Sequence, residues 1–311
     1  MPRPPALRRC AGAASGRRAL AAALGLALAA SVAPGRAESR LRIPVVDTPL
    51  EECPPPDPAC TGPDDAIEPD LVVEGTFPRS LQGSYVMLPF EVPAGTTSVR
   101  IRYCWEDGGH TVDLGIWQAR PGKQPWGPAE FRGWGGSSHR DTTITPQGFS
   151  PQSTYEAKPK CHVPGRTTRG FVPGPIAPGT WAAELGVGAI AENDADDSAN
   201  FRVEIELSED PAFAAVPYVA APYDATPANP EPGWYQGDMH VHAEHSALGD
   251  ATMAETFDFA FRSREEGGAG LDFVTLSDYV TTTGWGEIGG HQKAYPGKLV
   301  IRSSEVITYR G

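Results

Sequence analysis

From Leu71 onward the chain alternates apolar and polar residues in short runs: LVVEG (71–75), SYVMLPFEV (84–92), SVRIRYCWE (98–106), TVDLGIWQA (111–119), GTWAAELGV (179–187) and NFRVEIELS (200–208). Successive strand side chains point to opposite faces, so this alternation marks strands with one buried face. Turn signals separate them, among them Pro93-Ala94-Gly95, Asp107-Gly108-Gly109 and Ala177-Pro178-Gly179. Such runs without an amphipathic helix between them predict an all-β sandwich over residues 71–210. The Trp- and Gly-rich stretch WGPAEFRGWGG (126–136) reads as a long loop packed onto it.

After residue 210 the texture changes. Residues 211–233 are proline-rich and read as a stiff linker. Residues 234–241 then form an expected strand, and residues 252–264 a helix with Met253, Phe257, Ala260 and Phe261 on one face. Thr252 and Glu255 have the spacing of a capping box. The apolar runs at 271–276 and 298–308 are expected as further strands. Strand, helix, strand with polar residues at the strand C-terminal ends is how α/β barrels present their chemistry.

The first 37 residues stand apart. A basic stretch without acids precedes fifteen Ala, Leu, Gly, Ser and Val residues at 19–33, and Gly35-Arg36-Ala37 offers a cleavage point. This is the pattern of a secretory signal peptide, too short for a permanent membrane span. Arg17-Arg18 is compatible with the twin-arginine route as well as the general secretory one. Residues 38–70 follow as a Pro- and acid-rich arm. The mature chain is expected to be periplasmic or extracellular, with no membrane anchor.

Loss of the signal takes six arginines and no acids, leaving 20 basic residues against 39 acidic ones, a net charge of −19. A strongly acidic chain repels nucleic acid, so no nucleic-acid partner is expected. Four cysteines remain: Cys53, Cys60, Cys104 and Cys161. An even number in an exported chain implies two disulfides. Cys53 and Cys60 flank PPPDPA and are expected to pair, leaving Cys104 for Cys161.

The candidate chemistry lies in GDMHVHAEHSALGD (237–250). His240 and His242 alternate at a strand end and so point to the same side, as two ligands of one ion would. Imidazole with carboxylate suits zinc, manganese or iron.

Together, GDMHVHAEHS (237–246), DFVTLSD (272–278) and PGKLVIRSSEVITYRG (296–311) resemble the opening of a PHP-domain metallohydrolase. This is the polymerase and histidinol phosphatase superfamily, and the nearest branch is the CehA/McbA-like one, whose exported members carry a β domain ahead of the barrel. The resemblance implies a multidomain fold: the sandwich, then about three strands of an α/β (βα)7 barrel over residues 234–311. It implies His240 and His242 as the first ligand pair, Asp250 as the acid that follows, and Glu305 as a ligand after a Pro-Gly turn and strand. Asp250 also reads as a helix cap. Ser277-Asp278-Tyr279 departs from the pattern by carrying Tyr where the family has a metal-binding His. Either Asp278 or the displaced His291 fills that place, or that metal is lost. His245 matches no family ligand. No catalytic residue beyond the ligands is assigned.

The activity implied is hydrolysis of a small-molecule phosphoester, or a related ester or carbamate, by metal-activated water. With only part of a barrel, the 311-residue chain is expected to be incomplete and weakly active or inactive. The other class considered is a non-catalytic exported binding protein whose sandwich is the functional unit and whose PHP-like segment is a remnant. Absence of Walker and GxSxG motifs gives P-loop nucleotide and serine-hydrolase chemistry no support. Oligomeric state is left open.

Overall fold

The computed structural model describes residues 50–120, 126–150, 161–192, 197–224, 226, 229–246, 249 and 251–306. The signal segment 1–37, the start of the arm and Asp250 lie outside the described residues.

Eight strands build the first unit: β1 (Leu71–Pro78), β2 (Ser84–Val92), β3 (Ser98–Trp105), β4 (Thr111–Trp117), β5 (Phe131–Gly136), β6 (Asp141–Ile144), β7 (Gly179–Ala189) and β8 (Ser198–Ser208). They form two four-stranded antiparallel sheets, in the orders β1-β8-β3-β6 and β2-β7-β4-β5. Alternate residues of facing strands fill the space between them, among them Val99, Ile101, Leu114, Ile116, Trp181, Leu185, Val203 and Ile205. The Trp-rich stretch is not a loop, because residues 131–136 pair with β4 as an edge strand. Two register shifts break its alternation and hide it from a period-two reading.

The strand β3 is buried on both faces. Inward it presents Val99, Ile101 and Tyr103; outward it presents Arg100 and Arg102, both ion-paired to Asp141. Residues 50–70 lie across that outer face. The carbonyls of Asp65 and Ala66 accept from the two guanidiniums, and the Cys53 N–H donates to the Glu204 carboxylate. The segment is therefore bolted down, and its cysteines meet the sandwich instead of each other. The bridges are Cys53–Cys104 and Cys60–Cys161. This corrects the local pairing expected from the sequence. The physical reason is that arginine-to-carbonyl bonds lay the segment on β3, whose Cys104 points outward toward it.

The second unit contains three parallel strands, β9 (Gly237–Val241), β10 (Phe273–Leu276) and β11 (Leu299–Arg302), in the order β11-β10-β9. Helix α1 (Met253–Phe261) connects β9 to β10, and α2 (Trp285–Gln292) connects β10 to β11. The Thr252/Glu255 capping box opens α1, and Met253, Phe257, Ala260 and Phe261 bury its inner face against Val274, Leu276 and Val300.

The expected fold class needs correction. The described residues are dominated by the two antiparallel sheets, helices are few, and the opening of a (βα)7 barrel is not what the structure shows. In the described part, β9 and β11 each pair only with β10, and β9 is largely exposed. A barrel needs every strand hydrogen-bonded on both sides with a consistent stagger, which an open three-stranded sheet lacks.

Nor does the proline-rich stretch after residue 210 simply space the units apart. The Tyr218 N–H donates to the Pro146 carbonyl, the Ala221 N–H to the Gly286 carbonyl, and the Tyr223 hydroxyl to the Val300 carbonyl. Two glycines of α2 make this approach possible. A Cβ at Gly289 would lie 1.8 Å from the Pro222 carbonyl oxygen, and one at Gly286 2.3 Å from the Tyr218 hydroxyl. The stretch is a strap that touches both units. No helix among the described residues is long and apolar enough to cross a membrane.

Candidate metal centre

His240 is the penultimate residue of β9, on its exposed side, and His242 follows where the chain leaves the strand. Glu305 arrives three residues after β11, held by backbone bonds to the neighbouring loop: its N–H donates to the Asp278 carbonyl and its carbonyl accepts the Val280 N–H. Val280 adopts φ 49, a left-handed conformation that β-branched residues avoid, and so supplies that N–H at a local cost.

Three donor atoms converge. His240 Nε2 lies 3.0 Å from His242 Nε2 and 3.2 Å from Glu305 Oε2, and His242 Nε2 lies 3.1 Å from the same oxygen. Donors about 2.0–2.1 Å from one ion would be separated by roughly 2.9 Å at octahedral and roughly 3.3 Å at tetrahedral angles. The observed triangle falls between those values, so the donor set fits one divalent cation. The side chains are 59%, 27% and 28% exposed, which leaves the remaining coordination directions to solvent or substrate.

Behind this triangle, Ser246 Oγ stands 3.0 Å from His242 Nδ1 and accepts the Tyr279 N–H. A proton on Nδ1 donates to that hydroxyl and leaves the Nε2 lone pair facing the triangle, the arrangement a metal-binding imidazole needs. The hydroxyl of Tyr279 lies near both Glu305 and Asp113 of β4. Burial, then those two carboxylates, raises its pKa.

The other expected ligands are elsewhere. Asp278 is buried beneath the loop, where its Oδ1 accepts the Ala243 N–H and its Oδ2 faces Gly284 without a hydrogen bond. Burial pushes its carboxyl up to about 7. His291 sits on α2 edge-on to Phe257. Neither belongs to the triangle. A second cluster of potential ligands, Cys60, Asp65 and Cys161, contains a disulfide, whose sulfurs are not thiolate ligands.

His245, which the sequence left without a partner, is fully buried. Its Nε2 lies 2.6 Å from Glu287 Oε2 and its Nδ1 3.0 Å from the Thr283 hydroxyl, assigning a neutral ring that donates from Nε2. Burial lowers its pKa. Arg169 of the sandwich, always charged, lies 2.8 Å from Glu287 and 3.2 Å from Glu244. Burial opposes the Glu287 charge, but His245 and Arg169 outweigh it and hold the carboxyl at about 2. Burial raises the pKa of Glu244, which Arg169 opposes. Nothing in the spacing of these residues marks the network, because Arg169 lies 118 residues before Glu287.

No protein-family model matches the chain, and no curated protein matches it. Among solved structures it is similar to the periplasmic inhibitor of g-type lysozyme, PliG, from Aeromonas hydrophila. That likeness has 14% identity over 44% of this chain and 85% of the other, with TM-score 0.22. The Salmonella Typhimurium PliG matches at 10% identity over 45% and 95%, with TM-score 0.18. A mutant of the Escherichia coli PliG matches at 12% over 44% and 86%, again with TM-score 0.18. At such scores the likeness carries no argument about this chain.

Proposed function

We propose that this is an exported, metal-dependent hydrolase-type protein that holds one divalent cation between His240, His242 and Glu305. The observation that carries the reading is the convergence of those three donor atoms within 3.2 Å of one another. Two imidazoles and one carboxylate are a hydrolytic zinc set as well as an open iron or manganese set. A bound cation of this kind lowers the pKa of water and polarises a phosphoryl or carbonyl oxygen. The protein's own part is to orient His242 through Ser246 and to leave the site open on the His240 side. The motif resemblance to PHP metallohydrolases supports the hydrolytic part, with a small phosphoester, ester or carbamate as substrate. Two disulfides fit a chain that matures in an oxidising compartment, and the periplasm, reached by either secretion route, completes the reading.

A second reading is a non-catalytic binding protein whose functional unit is the sandwich. The outer face of the β2-β7-β4-β5 sheet favours it. There the rings of Tyr85 and Trp134, and of Trp117 and Phe131, pair beside the Glu184 carboxylate. One experiment separates the two: elemental analysis and phosphodiester hydrolysis of the purified chain and of His242→Ala. Stoichiometric metal and turnover, both lost in the variant, support the hydrolase. A chain that takes up no zinc, manganese or iron on reconstitution sinks it.

A further inference from the structure

We infer that Arg169, a residue of the sandwich, is a positioning residue for the metal centre of the second unit, acting through the turn that joins His242 to Ser246. The inference rests on the reading of His240, His242 and Glu305 as metal ligands.

The turn is short and tightly held. The Ser246 N–H donates to the Ala243 carbonyl, so Glu244 and His245 lie between the ligand and the hydroxyl that orients it. From the side of the second unit, Asp278 accepts the Ala243 N–H and Ser246 accepts the Tyr279 N–H. From the side of the sandwich, a single nitrogen does the work. Arg169 Nη1 lies 2.8 Å from Glu287 Oε2, 2.8 Å from His245 Nε2 and 3.2 Å from Glu244 Oε1.

Its guanidinium is fixed in turn. Arg169 Nε donates to the Ser150 carbonyl, its head lies over the Phe149 ring, and Phe149 meets His245 edge-to-face at 4.5 Å. The next residue, Gly170, accepts a hydrogen bond from the Thr281 hydroxyl, and Thr281 is bonded to Thr283, the other partner of His245. Remove the cation, and Glu244 and Glu287 become like charges around a buried imidazole. Desolvated charges without a counter-charge relax by moving. Glu244 and His245 are part of the turn, so their displacement would shift Ser246 Oγ away from His242 Nδ1.

Cobalt(II) titration of the full chain, followed by its visible absorbance, tests this. Partners that orient a metal-binding imidazole change affinity by about 10–100-fold. Arg169→Met should weaken cobalt binding by at least about tenfold, at the low end of that range. Arg169→Lys should recover part of it, because one nitrogen makes both carboxylate contacts. Arg132 is a buried sandwich cation with other partners, Gln118 and the Pro175 carbonyl, so Arg132→Met should leave cobalt affinity unchanged. In a double-mutant cycle, Arg169→Met should cost no further affinity once Ser246→Ala is present. Arg169→Gln takes its place if Arg169→Met does not fold. Wild-type affinity in the Arg169 variant, an equal loss in Arg132→Met, or additivity with Ser246→Ala overturns the inference while the metal site stands. A wild-type chain that binds no cobalt removes the site and the inference together.

Discussion

Ser246 Oγ lies 3.0 Å from His242 Nδ1 and accepts the Tyr279 backbone N–H, so one hydroxyl ties the ligand strand to the loop after β10. The hydroxyl can accept from an Nδ1–H, the tautomer that leaves Nε2 free for a cation. Ser246→Ala should therefore weaken zinc binding by about 10–100-fold, with a larger loss for His242→Ala. Competition against a chromophoric chelator measures both. Equal affinity for wild type and Ser246→Ala would show that Ser246 does not orient the ligand.

The disulfides make an ordered prediction. Cys60–Cys161 spans 101 residues and Cys53–Cys104 spans 51. On the loop-entropy view their separate losses cost roughly 5 and roughly 4 kcal/mol, so the serine pair at 60 and 161 should be the less stable one. The two loops overlap, which makes the double loss smaller than the sum. Denaturant unfolding gives the order, and peptide mapping without reduction should recover 53 with 104 and 60 with 161. Recovery of a 53–60 peptide would contradict the structure.

Acid should release the contact between the units. Glu287 is held at about 2, below its ordinary value of 4.5, so its contribution is present above about 4.5 and is lost as pH falls toward 2. The depression corresponds to about 3 kcal/mol as an upper figure for a group only partly shielded from solvent. Buried neutral His245 acts in the same direction: below pH 6.5 the unfolded chain takes up a proton that the folded ring resists. Glu287→Gln should be destabilised at pH 7, and its deficit should close between about pH 4.5 and pH 2. Melting curves in EDTA across that window check it, and a deficit independent of pH would show that the carboxylate charge is not what Arg169 holds.

Gly289→Ala probes the strap. The added carbon would stand 1.8 Å from the Pro222 carbonyl oxygen, with backbone on both sides. Alanine favours an isolated helix by up to about 1 kcal/mol, yet here the collision should win, with a net loss of about 1–3 kcal/mol. Protease cutting near Pro222 should rise in parallel. A more stable variant would mean that the strap does not press on α2.

What the sequence determines by itself is what acts over a few residues. Alternation in SVRIRYCW and its companions marks the inner faces of the sandwich strands, and the Thr252/Glu255 box with Met253, Phe257 and Phe261 marks the start and buried face of α1. Two histidines two residues apart at a strand end are visible as a pair on one side. Other elements leave no such local trace. The edge strand β5 is interrupted by register shifts, and α2 is written with three glycines because a strap, not solvent, lies against it. Tertiary structure alone decided that β9, β10 and β11 form an open sheet and that Cys53 turns to Cys104. It also set Glu305 3.1 Å from His242 and drew Arg169 from the other unit to the back of the histidine turn. Those outcomes follow from desolvation and charge pairing between groups tens to more than a hundred residues apart. Such forces depend on distance in space, which no period along the chain encodes.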